Sequence, residues 1–406
     1  MTSTRDQRPA HPGPLDGTTV IDLTRVLSGP YCTMLLADMG ARVVKIEQPG
    51  KGDDTRAWGP PFIEGESAYF LSVNRNKQSV ALDFKRAEGR ALLDRLLAGA
   101  DVLVENFRPG TLDRLGLGYA ALAERHPRLV YASVSGFGQS GPARERPGYD
   151  AVVQAESGLM SITGAADGPP FRLGVAITDI VAGMFAAQGV LLALLARQRT
   201  GRGQLVDIGM LDGAAALLTY QAGIYFATGR SPQRLGNRHP TIMPYETFAG
   251  SDGEFVVAVG NDELWIAFCR AIGLLDLASD PRFATNRLRV SGCEELRPIL
   301  AARLCTLPAA HWIDALSLAG VPCGLVRDLE AALTDPQLLA RDMVQTLTHP
   351  IAGAIQALGV PIKLSDTPGQ IRMPPPTLGQ HTEEVLAGDL GLDGAAIARL
   401  RAGGVI

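Results

Sequence analysis

Cysteine is sparse and unpatterned in this chain: five residues in 406, odd in number, with no C-x-x-C spacing. That argues against a disulfide framework or a cysteine zinc site, and for reduced thiols in a cytoplasmic protein. The six histidines are equally dispersed, and none pairs with another at i, i+4, so no metal site is expected. Charge of one sign is lacking too. A formal net charge of −4 offers no general electrostatic case for nucleic acid or an anionic membrane as partner. The longest apolar stretch, Ile180 to Ala196, is broken by Gly and Gln and reads as a core helix, not a membrane span. Residues Met1–Pro14 are polar, carry no apolar h-region and read as a disordered lead-in. Internal repeats and low-complexity segments are absent from the sequence.

What is present is alternation. Thr19–Leu23 and Arg42–Glu47 read as short buried strands, with a helix over Tyr31–Met39 between them that stops at Gly40. Ser79–Asp83, Asp101–Glu105, Leu129–Val134 and Gln204–Gly209 continue the strands, with helices over Ala87–Ala98, Leu112–Glu124 and Leu211–Ala227. Strands alternating with helices predict a parallel α/β sheet with right-handed crossovers and helices on both faces. No G-x-G-x-x-G follows the first strand, and Gly50-Lys51-Gly52 lacks the rest of a Walker A loop. Ordinary nucleotide fingerprints are therefore missing from a fold that often binds nucleotides.

A chain of this length is expected to form two domains. Composition shifts at Thr228–Pro244, rich in Gly, Arg, Asn and Pro, which reads as a linker into a smaller domain. The division expected is a lead-in over 1–14, a large α/β domain over 15–227, linker and small α+β domain over 228–335, and a return segment over 336–406.

One carboxylate draws notice. Asp179 lies in Gly174–Gly183, where a strand-like run passes into the apolar helix predicted over Ile180–Arg197. At such a boundary it would occupy the N-cap, where backbone N–H groups and the helix dipole favour its charged form. An unperturbed pKa near ~3.9 would keep it ionised at neutral pH. On local sequence it is a cap or a nucleophile, and both readings stand.

Motifs spread along the chain carry a resemblance. They include Leu15-Asp16-Gly17 with Val20-Ile21-Asp22-Leu23-Thr24, then Ser28-Gly29-Pro30, Gly40–Glu47 and Gly52–Arg56. Asn74–Lys77, Val104–Arg114, Thr200–Gln204, Gly320–Gly324 and Leu378–Thr382 follow in order. Together they resemble the class III CoA-transferases, the group of formyl-CoA transferase and carnitine CoA-transferase, from about Leu15 to Ile406. The resemblance implies a Rossmann-like large domain, an interlocked homodimer, and transfer of CoA from an acyl-CoA to a carboxylic acid without a permanently bound cofactor. It places the catalytic aspartate at Asp179, which would pass through a mixed anhydride and an aspartyl-CoA thioester.

The same resemblance assigns CoA contacts to Val26, Leu82, Asn106, Phe107 and Arg114. Arg114 would grip a phosphate, and Phe107 would stack on adenine or pack in the core. Gln48 and Pro147 stand where the family can carry Arg and Lys, with Arg144 or Arg146 close enough in sequence to substitute. Leu27 replaces a catalytic-site Gln of formyl-CoA transferase, which argues against formyl or oxalyl specificity; His239 would face the active site or be structural. Related α-methylacyl-CoA racemases use a His in a Gly-His-Asp motif, which here reads Gly148-Tyr149-Asp150. Tyrosine, with a pKa near ~10, is a poor α-proton base at neutral pH. Transferase is thus expected over racemase or epimerase, and over a non-catalytic CoA-binding protein. Tyr149 would hydrogen-bond an acyl oxygen or the aspartyl adduct.

Overall fold

The computed structural model describes residues 12–406. The lead-in expected over 1–14 lies outside the described residues as far as position 11. By internal contacts the chain forms two compact units. The first takes the chain through Leu159, then Leu173–Ala222 and Pro336–Ile406; the second comprises Met160–Arg172 and Gly223–Asp335. The short piece Met160–Arg172 carries no signal in the sequence that would assign it to the second unit.

The first unit is built on β1 (Thr19–Asp22), α1 (Ser28–Asp38), β2 (Arg42–Glu47), β3 (Lys77–Ala81), α2 (Ala87–Ala98) and β4 (Val102–Glu105). It continues with α3 (Tyr119–Arg125), β5 (Val130–Ser135), α4 (Asp150–Glu156), α5 (Ile177–Thr200) and β6 (Leu205–Gly209). The six strands run in the order β3-β2-β1-β4-β5-β6, every pair parallel. Val20 pairs with Val43 on one side and Val102 on the other. Most of these strands are buried on both faces, as expected of a sheet sandwiched between helices, although Lys45 and Lys77 are buried among their apolar residues.

Successive strand residues feed opposite cores. Ile21, Val44 and Leu103 pack with Leu93 and Leu97 of α2 and, from the C-terminal helices, Leu386 and Leu400. Val20, Val43 and Val102 pack on the other face with Leu36 of α1 and with Ala182, Ala186 and Val190 of α5. Small residues let α1 and α5 touch: a Cβ on Gly183 would lie 2.6 Å from the Ser28 carbonyl oxygen. By length and composition α5 could cross a membrane, but this face is packed in the core. Its opposite face leaves Leu192 and Leu195 66% and 58% exposed.

Two predicted helices prove discontinuous. Leu112–Glu124 divides into a short 3-10 turn, Asp113–Leu115, and α3, because Gly116 adopts φ 70 and a Cβ on Gly118 would collide with the Asp113 carboxylate. Leu211–Ala227 divides into Met210–Ala216 and Thr219–Thr228, with Thr219 itself at φ 37. Helix α1 starts three residues before its expected first residue, and α5 likewise begins earlier than Ile180.

The second unit is α+β. Strands β7 (Tyr245–Ala249), β8 (Glu254–Ala258) and β9 (Cys323–Leu325) form an antiparallel sheet in the order β9-β8-β7. Phe255 and Val257 of β8 point into a core shared with Trp265, Phe268 and Trp312 of the flanking helices.

Candidate active site

Strand β1 lies between β2 and β4, so the chain winds away from it in opposite directions. Loops at the carboxyl ends of such strands part, and the crevice between them is where open α/β sheets bind ligands. Two cavities that share Arg25 and Phe107 occupy this crevice, with empty volumes of ≈ 820 Å³ and ≈ 790 Å³. The first is lined by the loops after β1 and β4, the end of β5, Tyr149 and Asp179. The second is lined by the loops after β1, β2 and β3, including Gln48, Lys51, Leu82 and Lys85.

Asp179 is not an N-cap. Helix α5 begins at Ile177 with Ala176 at the cap, so Asp179 stands in the first turn. The reason lies in Asp150, 28 residues before Thr178: its Oδ1 accepts both the backbone N–H and the hydroxyl of Thr178, each at 2.9 Å. Its Oδ2 accepts from Gln154 at 2.7 Å. With the helix end satisfied by Asp150, Asp179 faces Ser28 at the start of α1 across the first cavity, which both residues line, and the Ser28 hydroxyl and backbone N–H favour its charged form. Only 9% of Asp179 is exposed.

That environment overturns the expectation of an ordinary, fully ionised carboxylate. Burial, followed by the charge of Asp150, pushes the Asp179 carboxyl up to about 7, against the lowering influence of the Ser28 hydroxyl and N–H. A desolvated carboxylate without a cation is a stronger base and less shielded by water, which suits attack on an electrophilic carbon.

The other residues named from the sequence are distributed unevenly. Val26, Asn106, Phe107 and Tyr149 line the first cavity with Asp179, and Tyr149 is well exposed. Leu82 and Phe107 line the second. Phe107 is half-buried, meets Phe84 edge-on at 6.1 Å and carries the Arg25 guanidinium 5.1 Å from its centre. Leu27 lines neither cavity; it is buried with Met34 and Val73 in a small apolar cluster. Arg114 is exposed, donates weakly to Thr111 at 3.4 Å and lines neither cavity, although Thr111 lines the second. Arg146, lying 4.7 Å over Phe137 and paired with Glu156, lines the first cavity; Arg144 does not. His239 belongs to the second unit, where its ring lies 5.2 Å from that of Tyr245, tilted by 53°.

Sequence reasoning missed several residues. Ser28 and Arg108 stood inside quoted motifs without a role. Arg108 lines the first cavity and is exposed; no hydrogen bond or ion pair engages its guanidinium among the described residues. Ser135, at the end of β5, is buried and its hydroxyl has no hydrogen-bond partner, although it borders the same cavity. Glu105, one residue before Asn106, is buried and pushed up to about 7 by desolvation, against bonds from Ser133 and the Phe107 N–H. Among the described residues, no group of three or more His, Cys, Asp or Glu could hold a metal ion.

A parallel α/β unit whose switch-point crevice is lined by arginines and lysines as well as carboxylates, with the desolvated Asp179 among them, is suited to group transfer on an anionic substrate. The profile of CoA-transferase family III matches residues 15–382. The chain belongs to that family and is a CoA-transferase. It is 42% identical over 393 residues to mouse succinyl-CoA:glutarate CoA-transferase, covering 97% of this chain and 90% of that protein. It is 46% identical over 366 residues to acetyl-CoA:oxalate CoA-transferase of Acetobacter aceti, covering 90% and 92%. The crystal structure of a CaiB/BaiF family protein from Brucella suis matches with a TM-score of 0.82 at 41% identity, over 93% of this chain and all of that one.

Proposed function

We propose that the chain moves CoA from a donor acyl-CoA to a small dicarboxylic acid, with Asp179 as the covalent carrier. The observation that supports this most is Asp179 itself, buried without a cation beside Ser28 at the edge of the switch-point cavity. Its carboxylate attacks the thioester carbon, forming a mixed anhydride and expelling CoA thiolate. The thiolate attacks the aspartyl carbonyl, giving an aspartyl-CoA thioester and releasing the donor acid. The acceptor carboxylate reverses both steps. Holding the three groups together supplies much of the rate, since well-oriented reactions can offset roughly 7–11 kcal/mol of barrier. Tyr149 donates to the acyl oxygen, and the nucleotide end of CoA lies along Leu82 and Phe107.

The dicarboxylate assignment draws on relatives named for succinate, glutarate and oxalate, and on Arg108, whose free guanidinium is suited to a distal carboxylate. Replacing it, Arg108→Ala, should raise KM for glutarate about tenfold or more while leaving a short monocarboxylate nearly unaffected; equal losses for both acids would remove Arg108 from this role. We further propose that the uncovered face of α5, with Leu192 and Leu195, is covered by a second copy of the chain.

Heavy oxygen tests the carrier. With an acceptor labelled in its carboxylate, the new anhydride joins Asp179 through a labelled atom, and thiolate attack on the acceptor carbon leaves that atom on the enzyme. The peptide containing Asp179 should gain label during turnover and lose it into released donor acid once unlabelled acceptor is restored. Transfer without label at Asp179 would disprove the covalent route.

A further inference from the structure

We propose that Asn106 is a positioning residue: with Asp53 it holds the turn Thr24–Val26 in a left-handed bend that presents Ser28 to Asp179, in place of the CoA contact that resemblance assigns to it. The proposal rests on Asp179 being the reacting group. Both functions of the Asn106 amide are taken up by the backbone of one residue: Oδ1 accepts the Arg25 N–H at 2.9 Å, and Nδ2 donates to the Arg25 carbonyl at 2.7 Å. The pairing follows from register, because β4 lies beside β1 and Leu23 N–H already bonds the Val104 carbonyl.

The neighbouring peptide groups are held in the same manner. Asp22 Oδ1 accepts the Thr24 N–H at 2.8 Å, and Lys45 Nζ donates to the Thr24 carbonyl at 2.8 Å. Asp53 Oδ1 accepts the Val26 N–H at 3.2 Å while pairing with Lys45. Side chains from β1, β2, the loop after β2 and the end of β4 thus converge on three consecutive residues.

The reason to hold them so firmly is Val26, at φ 70. A β-branched residue in that region is strained and relaxes unless its surroundings hold it. Two residues on, α1 begins at Ser28, which lines the first cavity together with Asp179 and whose hydroxyl and N–H favour the carboxylate's charged form. Relaxation at Val26 would move those donors away from the carboxylate.

The experiment uses the full chain as Asn106→Ala, Val26→Gly and the double variant. In the ligand-free Asn106→Ala protein, amide exchange in the peptide carrying Arg25 and Val26 should accelerate about tenfold or more. Its kcat should fall about 10- to 100-fold, with the Kd for free CoA changed less than about threefold. The acid limb of its pH–rate profile should move upward, since Asp179 would keep its neighbours, buried Asp150 and half-buried Tyr69, but lose Ser28. Glycine adopts φ > 0 without strain, so removing Asn106 should do much less harm in the Val26→Gly background than in the wild type. If Asn106→Ala does not fold, Asn106→Asp, which keeps the acceptor and loses the donor, takes its place in the same cycle. Unchanged exchange, an unrelieved loss in the glycine background, or weakened CoA binding with kcat intact would each overturn the proposal. An Asp179→Asn control that still transfers CoA would refute the carrier reading instead, and exchange with the glycine cycle would still decide whether Asn106 holds the turn.

Discussion

Around β2 the crevice is floored by buried charges of both signs, whereas beside β4, α4 and α5 it is floored by carboxylates alone. Lys45 pairs with Asp53 at 3.0 Å, Lys77 with Asp22 at 3.2 Å, and Arg56 with Glu47 at 2.7 Å. Burial would raise all three acids, yet their cations hold them below the ordinary range, Asp53 at about 2. Across the crevice, Asp179, Asp150 and Glu105 find only hydroxyls, an amide and backbone N–H groups. Asp179 and Glu105 are consequently pushed up to about 7. The paired side fixes backbone, and the unpaired side keeps a carboxylate basic enough to react.

The largest effect should come from removing that base. Asp179→Asn should reduce transfer to background, because an amide forms no anhydride. It should also stabilise the protein, with a definite pH dependence. A folded pKa above the unfolded value favours the folded state at low pH, and that contribution is lost as pH rises through about 7. Melting curves should therefore coincide with wild type near pH 4 and diverge, the variant melting higher, by pH 8. A variant that melts lower at pH 8 would place Asp179 among the structural residues.

The opposite response is expected across the crevice. Lys45→Met leaves Asp53 buried and unpaired, and breaking a buried pair typically costs about 3–5 kcal/mol. Denaturant unfolding at pH 7 measures it, and a loss under about 1 kcal/mol would mean that water enters to replace the ammonium.

Much of this architecture was legible in the sequence, and the exceptions share a cause. The βαβ alternation implied the parallel sheet because each element's pattern is local. Asp179 was reached through resemblance, but its true setting was hidden: the helix start depends on Asp150, and its donors on Ser28, both distant in sequence. Lys45 sits among Val and Ile in β2, and nothing nearby shows that Asp53 and Asp22 would make its burial tolerable. Ser135 continues the strand pattern of β5 with no mark that its hydroxyl would be stranded. Local patterns convey which segments fold; long-range partners decide which polar groups are free to act.

Asp150 offers a finer adjustment. Log kcat/KM should rise with pH to a plateau above about 7, the midpoint following ionisation of Asp179. Asp150→Asn removes the like charge, leaving burial as the remaining cause, so the midpoint should fall by about one unit or less. The Thr178 cap survives because Asn also caps helices. A midpoint unmoved by Asp150→Asn would show that desolvation alone raises Asp179.

The smallest effect should be at Ser135, and it separates the two sides of the crevice most sharply because its sign depends on ligand. In the free protein its hydroxyl is buried without a partner. Leaving such a group unsatisfied costs about 1–3 kcal/mol, so Ser135→Ala should be neutral or stabilising by up to about 1 kcal/mol when no substrate is present. Substrate changes the balance. An acyl-CoA in the first cavity brings carbonyl oxygens, and the hydroxyl then finds the acceptor that it lacks. Ser135→Ala should weaken transfer several-fold, about 1 kcal/mol of lost stabilisation. Thermal melts with and without acyl-CoA should show the same crossover, the variant gaining less from ligand than the wild type. On the paired side no such reversal is expected, since Lys45 and Asp53 already form an ion pair at 3.0 Å and Lys45→Met destabilises under both conditions. A Ser135→Ala protein that is destabilised equally with and without ligand would mean that its hydroxyl has a partner within the fold, and the contrast between the two sides would narrow to the carboxylates.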